Sequence, residues 1–200
     1  MALKAVFFDV GETLINELRY WNELARRLGL EPHVLWSALG VTIARREEHT
    51  DLWRHLGMEP PELLDVLLYD RSDLYPDALP CLEALRERGY FVGIVGNQTA
   101  ALEEWARAQE LPVDVVASSA RWGVRKPQPE FFSRIVAECD CDAFEIAYVG
   151  DRVDNDVLPA KAAGMVAVHV RRGPWGYLQD ASAADIRVDS LAALPEALSL

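Results

Sequence analysis

Residues 4–15 read Lys4-Ala5-Val6-Phe7-Phe8-Asp9-Val10-Gly11-Glu12-Thr13-Leu14-Ile15. The opening KAVFF is short, apolar and rich in aromatic and branched types, which predicts a buried strand. Asp9 closes that strand and Gly11 breaks it. A carboxylate at the end of a buried strand is either a simple cap or part of a site. The sequence on either side of it separates these two possibilities.

Downstream of Asn16 the apolar period changes to that of a helix. Leu18, Trp21, Leu24, Ala25 and Leu28 share one helical face, and Gly29 supplies the stop. A second helix is expected from Pro32 and a third around Trp53. A fourth is expected from the Pro60-Pro61-Glu62 start signal through Leu63, Leu64, Leu67 and Leu68. Beyond Tyr75-Pro76 the pattern alternates. Strands are expected at 91–95, 113–117, 146–149, 166–170 and 186–188, helices at 78–88, 100–110, 130–138, 157–163 and from 191, and loops at 118–129 and through RRGPWG at 171–176. Such alternation argues for a parallel sheet covered by helices on both faces. The expected fold class is therefore α/β: a Rossmann-like three-layer core of residues 1–15 and 76–200. A small all-helical cap, residues 16–75, is inserted after the first strand.

The 200 residues suit one such domain with an insertion. A formal net charge of −12 repels nucleic acid and anionic membranes and argues against both as partners. The opening residues are too short an apolar run for a signal peptide, and no stretch approaches the ~20 apolar residues that span a bilayer. Cys81, Cys139 and Cys141 match no zinc spacing, which fits a reducing, cytoplasmic setting. The oligomeric state is left open.

In open parallel sheets, ligands bind at the carboxyl ends of strands. Three expected strands end in polar residues: Asp9; then Gly96-Asn97-Gln98-Thr99; then Gly150-Asp151, followed by Asp154, Asn155 and Asp156. Lys126 lies in the loop Val124-Arg125-Lys126-Pro127. Carboxylates on neighbouring strand ends repel one another unless a cation lies between them, and an all-oxygen donor set suits Mg2+. A lysine beside them would offset the remaining charge and bind phosphate oxygens. The spacing from Asp151 to Asp156 does not make a calcium loop of the EF-hand kind, because Val153 takes one ligand position. No Gly-x-Gly-x-x-Gly or P-loop run is present. The four histidines, at 33, 49, 55 and 169, show no ligand spacing and are expected at the surface or in packing, while Trp21, Trp36 and Trp53 are expected in the core. Lys126 alone would pass as a surface lysine, Asp154 as a solvated loop carboxylate, and Arg171-Arg172 as a solvated pair.

Taken together, FFDVGETL (7–14), VGIVGNQT (92–99), GVRKPQPEFF (123–132) and YVGDRVDNDVLPAKAAGM (148–165) resemble, in order, the four motifs of the haloacid dehalogenase-like hydrolases. The helical insertion has the place and size of that family's helical cap. The resemblance implies that Asp9 is the nucleophile, attacking phosphorus to form an aspartyl-phosphate, and that Asp9, the backbone carbonyl of Gly11, Asp151 and Asp156 hold Mg2+. It further implies that Lys126 steadies nucleophile and phosphoryl group, and that Gly96, Asn97 and Thr99 lie along the phosphate. The expected partner is a small phosphorylated metabolite.

Two positions depart from the family pattern. Phosphatases of the family usually carry Asp-x-Asp in the first motif, the second Asp being the general acid and base; here Gly11 stands in its place. General acid–base help is worth on the order of 10² to 10⁴ in rate. Glu12 is the adjacent candidate substitute. In the second motif Gly96 replaces the usual hydroxyl residue, leaving Thr99 either to contribute or to act as a helix N-cap. Three readings follow: a slow or selective phosphatase favouring good leaving groups, in which Gly11→Asp is expected to raise turnover of alkyl phosphates; a 2-haloacid dehalogenase, against which the Asp151 and Asp156 pair argues; or a binding or regulatory protein that keeps the fold without turnover.

Overall fold

The structure is a computed structural model that describes residues 2–61 and 69–199. The predicted fourth helix of the insertion lies almost wholly outside these residues. Six parallel strands, β1 (Ala5–Phe8), β2 (Phe91–Gly96), β3 (Val115–Ser118), β4 (Ile146–Gly150), β5 (Val166–Val170) and β6 (Ile186–Val188), form one sheet in the order 3-2-1-4-5-6. The α/β expectation holds, with a helical insertion following β1.

Sheet residues alternate between two buried layers, as a sheet covered on both faces requires. Val6 and Phe8 join one apolar cluster with Val92, Ile94 and Val149; Ala5 and Phe7 join the other with Val95 and Tyr148. The first layer receives α1 (Leu18–Arg27) and α2 (Pro32–Ala44) of the insertion, and also α4 (Ala78–Glu87). The short α3 (Leu52–His55) follows α2 and buries Leu52 and Trp53. Pro32 opens α2, where its missing N–H costs nothing. The second layer receives α7 (Pro129–Cys139) and α8 (Leu158–Ala162).

Two predicted loops contain short helices: α6 (Ser119–Trp122) within 118–129 and α9 (Gly173–Leu178) across RRGPWG. Ser118 caps the first through its hydroxyl, and Pro174 opens the second. Few residues and no clear period hide such helices from pattern reading. The chain closes with α10 (Leu194–Ala197), and α5 (Ala100–Ala108) joins β2 to β3.

The insertion leaves and rejoins the sheet by two segments lying side by side. Asn16 N donates to Asp73 O (2.8 Å) and Tyr75 N to Leu14 O (2.9 Å), and Arg19 Nε donates to Asp73 Oδ1 (2.9 Å). No helix among the described residues is long and apolar enough to cross a membrane.

Candidate active site

Strands β2, β1 and β4 are neighbours, so Asn97, Asp9 and Asp151, the residues just past their carboxyl ends, converge. Asp156 is brought back to the same place by a π-turn over Val153–Val157. Its Oδ2 accepts the Arg152 backbone N–H at 2.9 Å. Gly150 permits the approach: a Cβ there would stand 2.2 Å from Asp156 Oδ2. Asp9, Asp151 and Asp156 are buried and offer carboxylate oxygens that all lie within 4.8 Å of one another.

Lys126 is fully buried, not a surface lysine. Its Nζ lies 2.8 Å from Asp9 Oδ1 and 2.6 Å from Asp156 Oδ1. Burial opposes its charge, but Asp156 and Asp9 outweigh that and hold the ammonium well above its ordinary range. Asn97 places the lysine: its Oδ1 accepts the Lys126 N–H (2.8 Å) and its Nδ2 donates to the Lys126 carbonyl (3.0 Å).

Among the described residues only Lys126 forms ion pairs with this cluster, Arg152 pairing with Asp154 instead, and one ammonium against three carboxylates leaves a surplus of negative charge. Burial first, then Asp156 and Asp9, push the Asp151 carboxyl well above its usual range. The Asp156 carboxyl is pushed up to about 6 by burial, against the pull of Lys126. Among the described residues, Asp151 Oδ2 is buried with no hydrogen-bond partner. A buried acceptor without a donor is costly. The orphaned oxygen, the excess charge and the all-oxygen donor set fit a hard divalent cation held between Asp9, Asp151 and Asp156.

The other residues singled out from sequence fall as follows. Thr99 Oγ1 accepts the Leu102 N–H (3.2 Å), so it caps α5 while also lining the cavity. A Cβ at Gly96 would stand 2.5 Å from Asp9 Oδ1, so the missing side chain is what makes room for that carboxylate here. Asp154 pairs with Arg152 at 2.8 Å rather than joining the cluster. His169, buried in the core, donates its Nε2–H to the Asp151 carbonyl (3.0 Å). Arg172 is buried, contrary to the expectation of a solvated pair with Arg171. It donates to Thr13 O (2.8 Å) and pairs with Asp77.

Glu12, the substitute acid suggested by adjacency, is tied down. Its Oε2 accepts the Tyr75 hydroxyl (2.6 Å), its Oε1 accepts the Glu17 N–H (3.2 Å), and its Cγ packs where a Cβ at Gly173 would be. Glu17, which no motif marks, has its carboxyl beside Gly11: a Cβ there would meet Glu17 Oε1 at 2.5 Å. Tyr69 donates to Glu17 Oε1, and Trp21 Nε1 donates to Oε2 (3.0 Å). Burial first, then the charge of Glu12, push the Glu17 carboxyl up to about 7.

These groups open into one cavity of about 260 Å³ between the sheet and the insertion. The core side of its wall holds Asp9, Lys126 and Asp151; the insertion side holds Trp21, Trp53 and Tyr69. The tryptophans thus both pack and line, and Trp36 stays in packing against Trp21. His49 also lines the cavity; burial first, then Arg152 and Arg125, push its ring down to about 4, so it is neutral near pH 7. Sequence reasoning missed Glu17, Tyr69 and His49, because all three come to the site through tertiary folding of the insertion.

Comparison with known proteins agrees with the fold. A glyceraldehyde 3-phosphate phosphatase of Methanopyrus kandleri is 30% identical to this chain, over 92% of it and 91% of that relative. The crystal structure of a HAD phosphatase from Thermococcus onnurineus superposes with a TM-score of 0.67 at 26% identity, covering 97% of each chain. The L-2-haloacid dehalogenase of Xanthobacter autotrophicus, at 19% identity and a TM-score of 0.69 over 97% of each chain, shares the fold. The family model for haloacid dehalogenase-like hydrolases matches residues 3–164, and the chain belongs to that family.

Proposed function

We propose that the protein is a Mg2+-dependent phosphatase that transfers the phosphoryl group of a small phosphorylated metabolite to Asp9 and then to water. The observation that carries this reading is the position of Lys126 Nζ between Asp9 and Asp156, next to an Asp151 oxygen with no partner. A dehalogenation site needs no such surplus of buried carboxylate, and a lysine held this closely to a candidate nucleophile favours turnover over a fold retained only for binding.

A carboxylate approaching a phosphate dianion meets like charge. Lys126 lowers that repulsion and neutralises an equatorial phosphoryl oxygen during transfer. Asp9, Asp151, Asp156 and the Gly11 carbonyl would hold Mg2+, which when bound supplies further charge neutralisation at the phosphoryl group. Asn97 fixes the Lys126 backbone, and in this reading backbone N–H groups near Gly96 and Thr99 would receive phosphate oxygens. In this reading the insertion, residues 16–75, acts as a cap on the core of residues 1–15 and 76–200, and closure excludes water and selects the leaving group. The aromatic lining favours a small leaving group with some apolar surface. The free cysteines suit the cytoplasm.

The test is phosphate release from alkyl, aryl and acyl phosphates, with and without Mg2+. Glyceraldehyde 3-phosphate belongs in the panel because the Methanopyrus kandleri relative is named for it. Release that needs Mg2+ and is lost in Asp9→Asn is expected; turnover unchanged in Asp9→Asn sinks the mechanism. Mg2+ binding without release from any substrate favours the non-catalytic reading.

A further inference from the structure

We infer that Glu17 is the general acid and base of this enzyme, supplied by the insertion in place of the side chain that Gly11 lacks. The inference rests on the phosphatase reading above and adds the residue that moves the protons.

Geometry carries it. A Cβ built on Gly11 would lie 2.5 Å from Glu17 Oε1, 2.8 Å from its Cδ and 3.2 Å from its Oε2. The carboxyl of Glu17 therefore occupies the volume that a side chain at position 11 would enter. It is also held there. Tyr69 Oη donates to Oε1 and Trp21 Nε1 to Oε2, and the Glu17 backbone N–H is anchored on Glu12. Glu17 lines the same cavity as Asp9 and Lys126. Glu12 also lines the cavity, but its side chain packs against Gly173, where an added Cβ would meet Glu12 Cγ at 2.5 Å and Cβ at 2.7 Å.

The proton and bond changes balance. In the first step an Asp9 oxygen bonds to phosphorus and the bond from phosphorus to the leaving oxygen breaks. The electron pair stays on the leaving oxygen, which takes the proton of the Glu17 carboxylic acid and departs as an alcohol. In the second step water gives a proton to the Glu17 carboxylate and its oxygen bonds to phosphorus. The bond from phosphorus to Asp9 then breaks, and its electron pair returns to the Asp9 carboxylate. Inorganic phosphate leaves and the Glu17 acid is restored. Because Glu17 immediately precedes α1, the proton donor arrives with the insertion, and an open insertion would leave the phosphoryl site without it.

The experiment compares wild type, Glu17→Gln and Glu17→Ala on phenyl phosphate and on 2,4-dinitrophenyl phosphate, whose leaving group needs no proton. Glu17→Gln should lose roughly 10²-fold or more on phenyl phosphate. On the dinitrophenyl ester it should release one dinitrophenolate per enzyme in a burst and then stall, with phosphorylated Asp9 detectable by mass spectrometry, since the base for the second step is gone. The variant Gly11→Asp/Glu17→Ala, which returns a carboxylate from position 11 into the vacated space, should recover phenyl phosphate turnover over Glu17→Ala alone. Equal losses on both esters with no phosphoenzyme, or no loss in Glu17→Gln, overturn the assignment of Glu17 while leaving the phosphatase reading intact. Absence of Mg2+-dependent release from wild type overturns both.

Discussion

Asn97 and Lys126 hold each other by a reciprocal pair of hydrogen bonds, 2.8 Å and 3.0 Å, between the Asn97 side-chain amide and the backbone N–H and carbonyl of Lys126. Asn97 directly follows β2 and Lys126 belongs to the loop after α6, so the pair fastens that loop to the sheet at the point where the ammonium must reach Asp9. Asn97→Ala should leave the Lys126 N–H and carbonyl without these partners. A loss on the order of 1–2 kcal/mol in unfolding free energy is expected, together with a fall in Mg2+-dependent turnover because Nζ is no longer fixed. Urea unfolding and steady-state kinetics on the same preparation check both; full activity with unchanged stability would remove Asn97 from any positioning role.

The orphaned oxygen of Asp151 makes a prediction about metal. Binding to the folded state alone raises stability as the ligand concentration exceeds its dissociation constant, by about 2.7 kcal/mol at a hundredfold excess. Mg2+ should therefore raise the melting temperature of wild type progressively. Asp151→Asn should shrink that rise, because the carboxylate with the unmet oxygen is the one removed. Thermal melts over a Mg2+ series decide it, and a melting temperature indifferent to Mg2+ in wild type would contradict a cation site at this cluster.

Lys126 offers a charge test. Removing one partner of a buried ionic cluster commonly costs 3–5 kcal/mol, since the remaining charge is stranded. Lys126→Met should cost on the order of that amount without divalent cation, because Asp9 and Asp156 lose the ammonium at 2.8 Å and 2.6 Å. Saturating Mg2+ should recover part of the loss by neutralising the same carboxylates. The comparison is denaturant unfolding of Lys126→Met in chelator and in Mg2+, and an equal deficit in both conditions would show that the charges are not shared with a cation.

The core was legible because its elements are short, strongly periodic and bounded by strand-end glycines and prolines. KAVFF, FVGIV and IAYVG could only be buried strands, and the polar residues after them had to meet at one edge. Lys126 was legible only through the order of the motifs, since in isolation a lysine before proline says nothing of burial. Glu17 was not legible at all. It sits between a loop and a helix with no pattern of its own, and it reaches Gly11 only because the insertion folds back so that Tyr69 and Trp21 can grip it. Gly11 was read as an absence; the structure shows the space filled from elsewhere. For the same reason Gly11→Asp alone is no longer expected to raise turnover, because its Cβ would stand 2.5 Å from Glu17 Oε1.

The Glu17 carboxyl also predicts a stability profile that does not depend on catalysis. Its pKa is raised from 4.5 to about 7 in the fold, by burial and by the neighbouring charge of Glu12 against the Tyr69 and Trp21 donors. The folded protein thus keeps a proton that the unfolded chain has released between those values. For such a raised group the stabilising contribution is complete below about pH 4.5 and is lost as pH rises through about 7. Glutamine is neutral throughout and removes this dependence. In chelator, Glu17→Gln should be more stable than wild type at about pH 8, by something on the order of 1–3 kcal/mol. The difference should shrink towards zero at about pH 5, where wild type is itself protonated. Urea unfolding of the two proteins at both pH values gives the answer: a constant difference across pH would mean that Glu17 does not change its charge in this range, whereas a difference that opens as pH rises identifies a carboxyl kept protonated by the fold, in a cavity where proton transfer is needed.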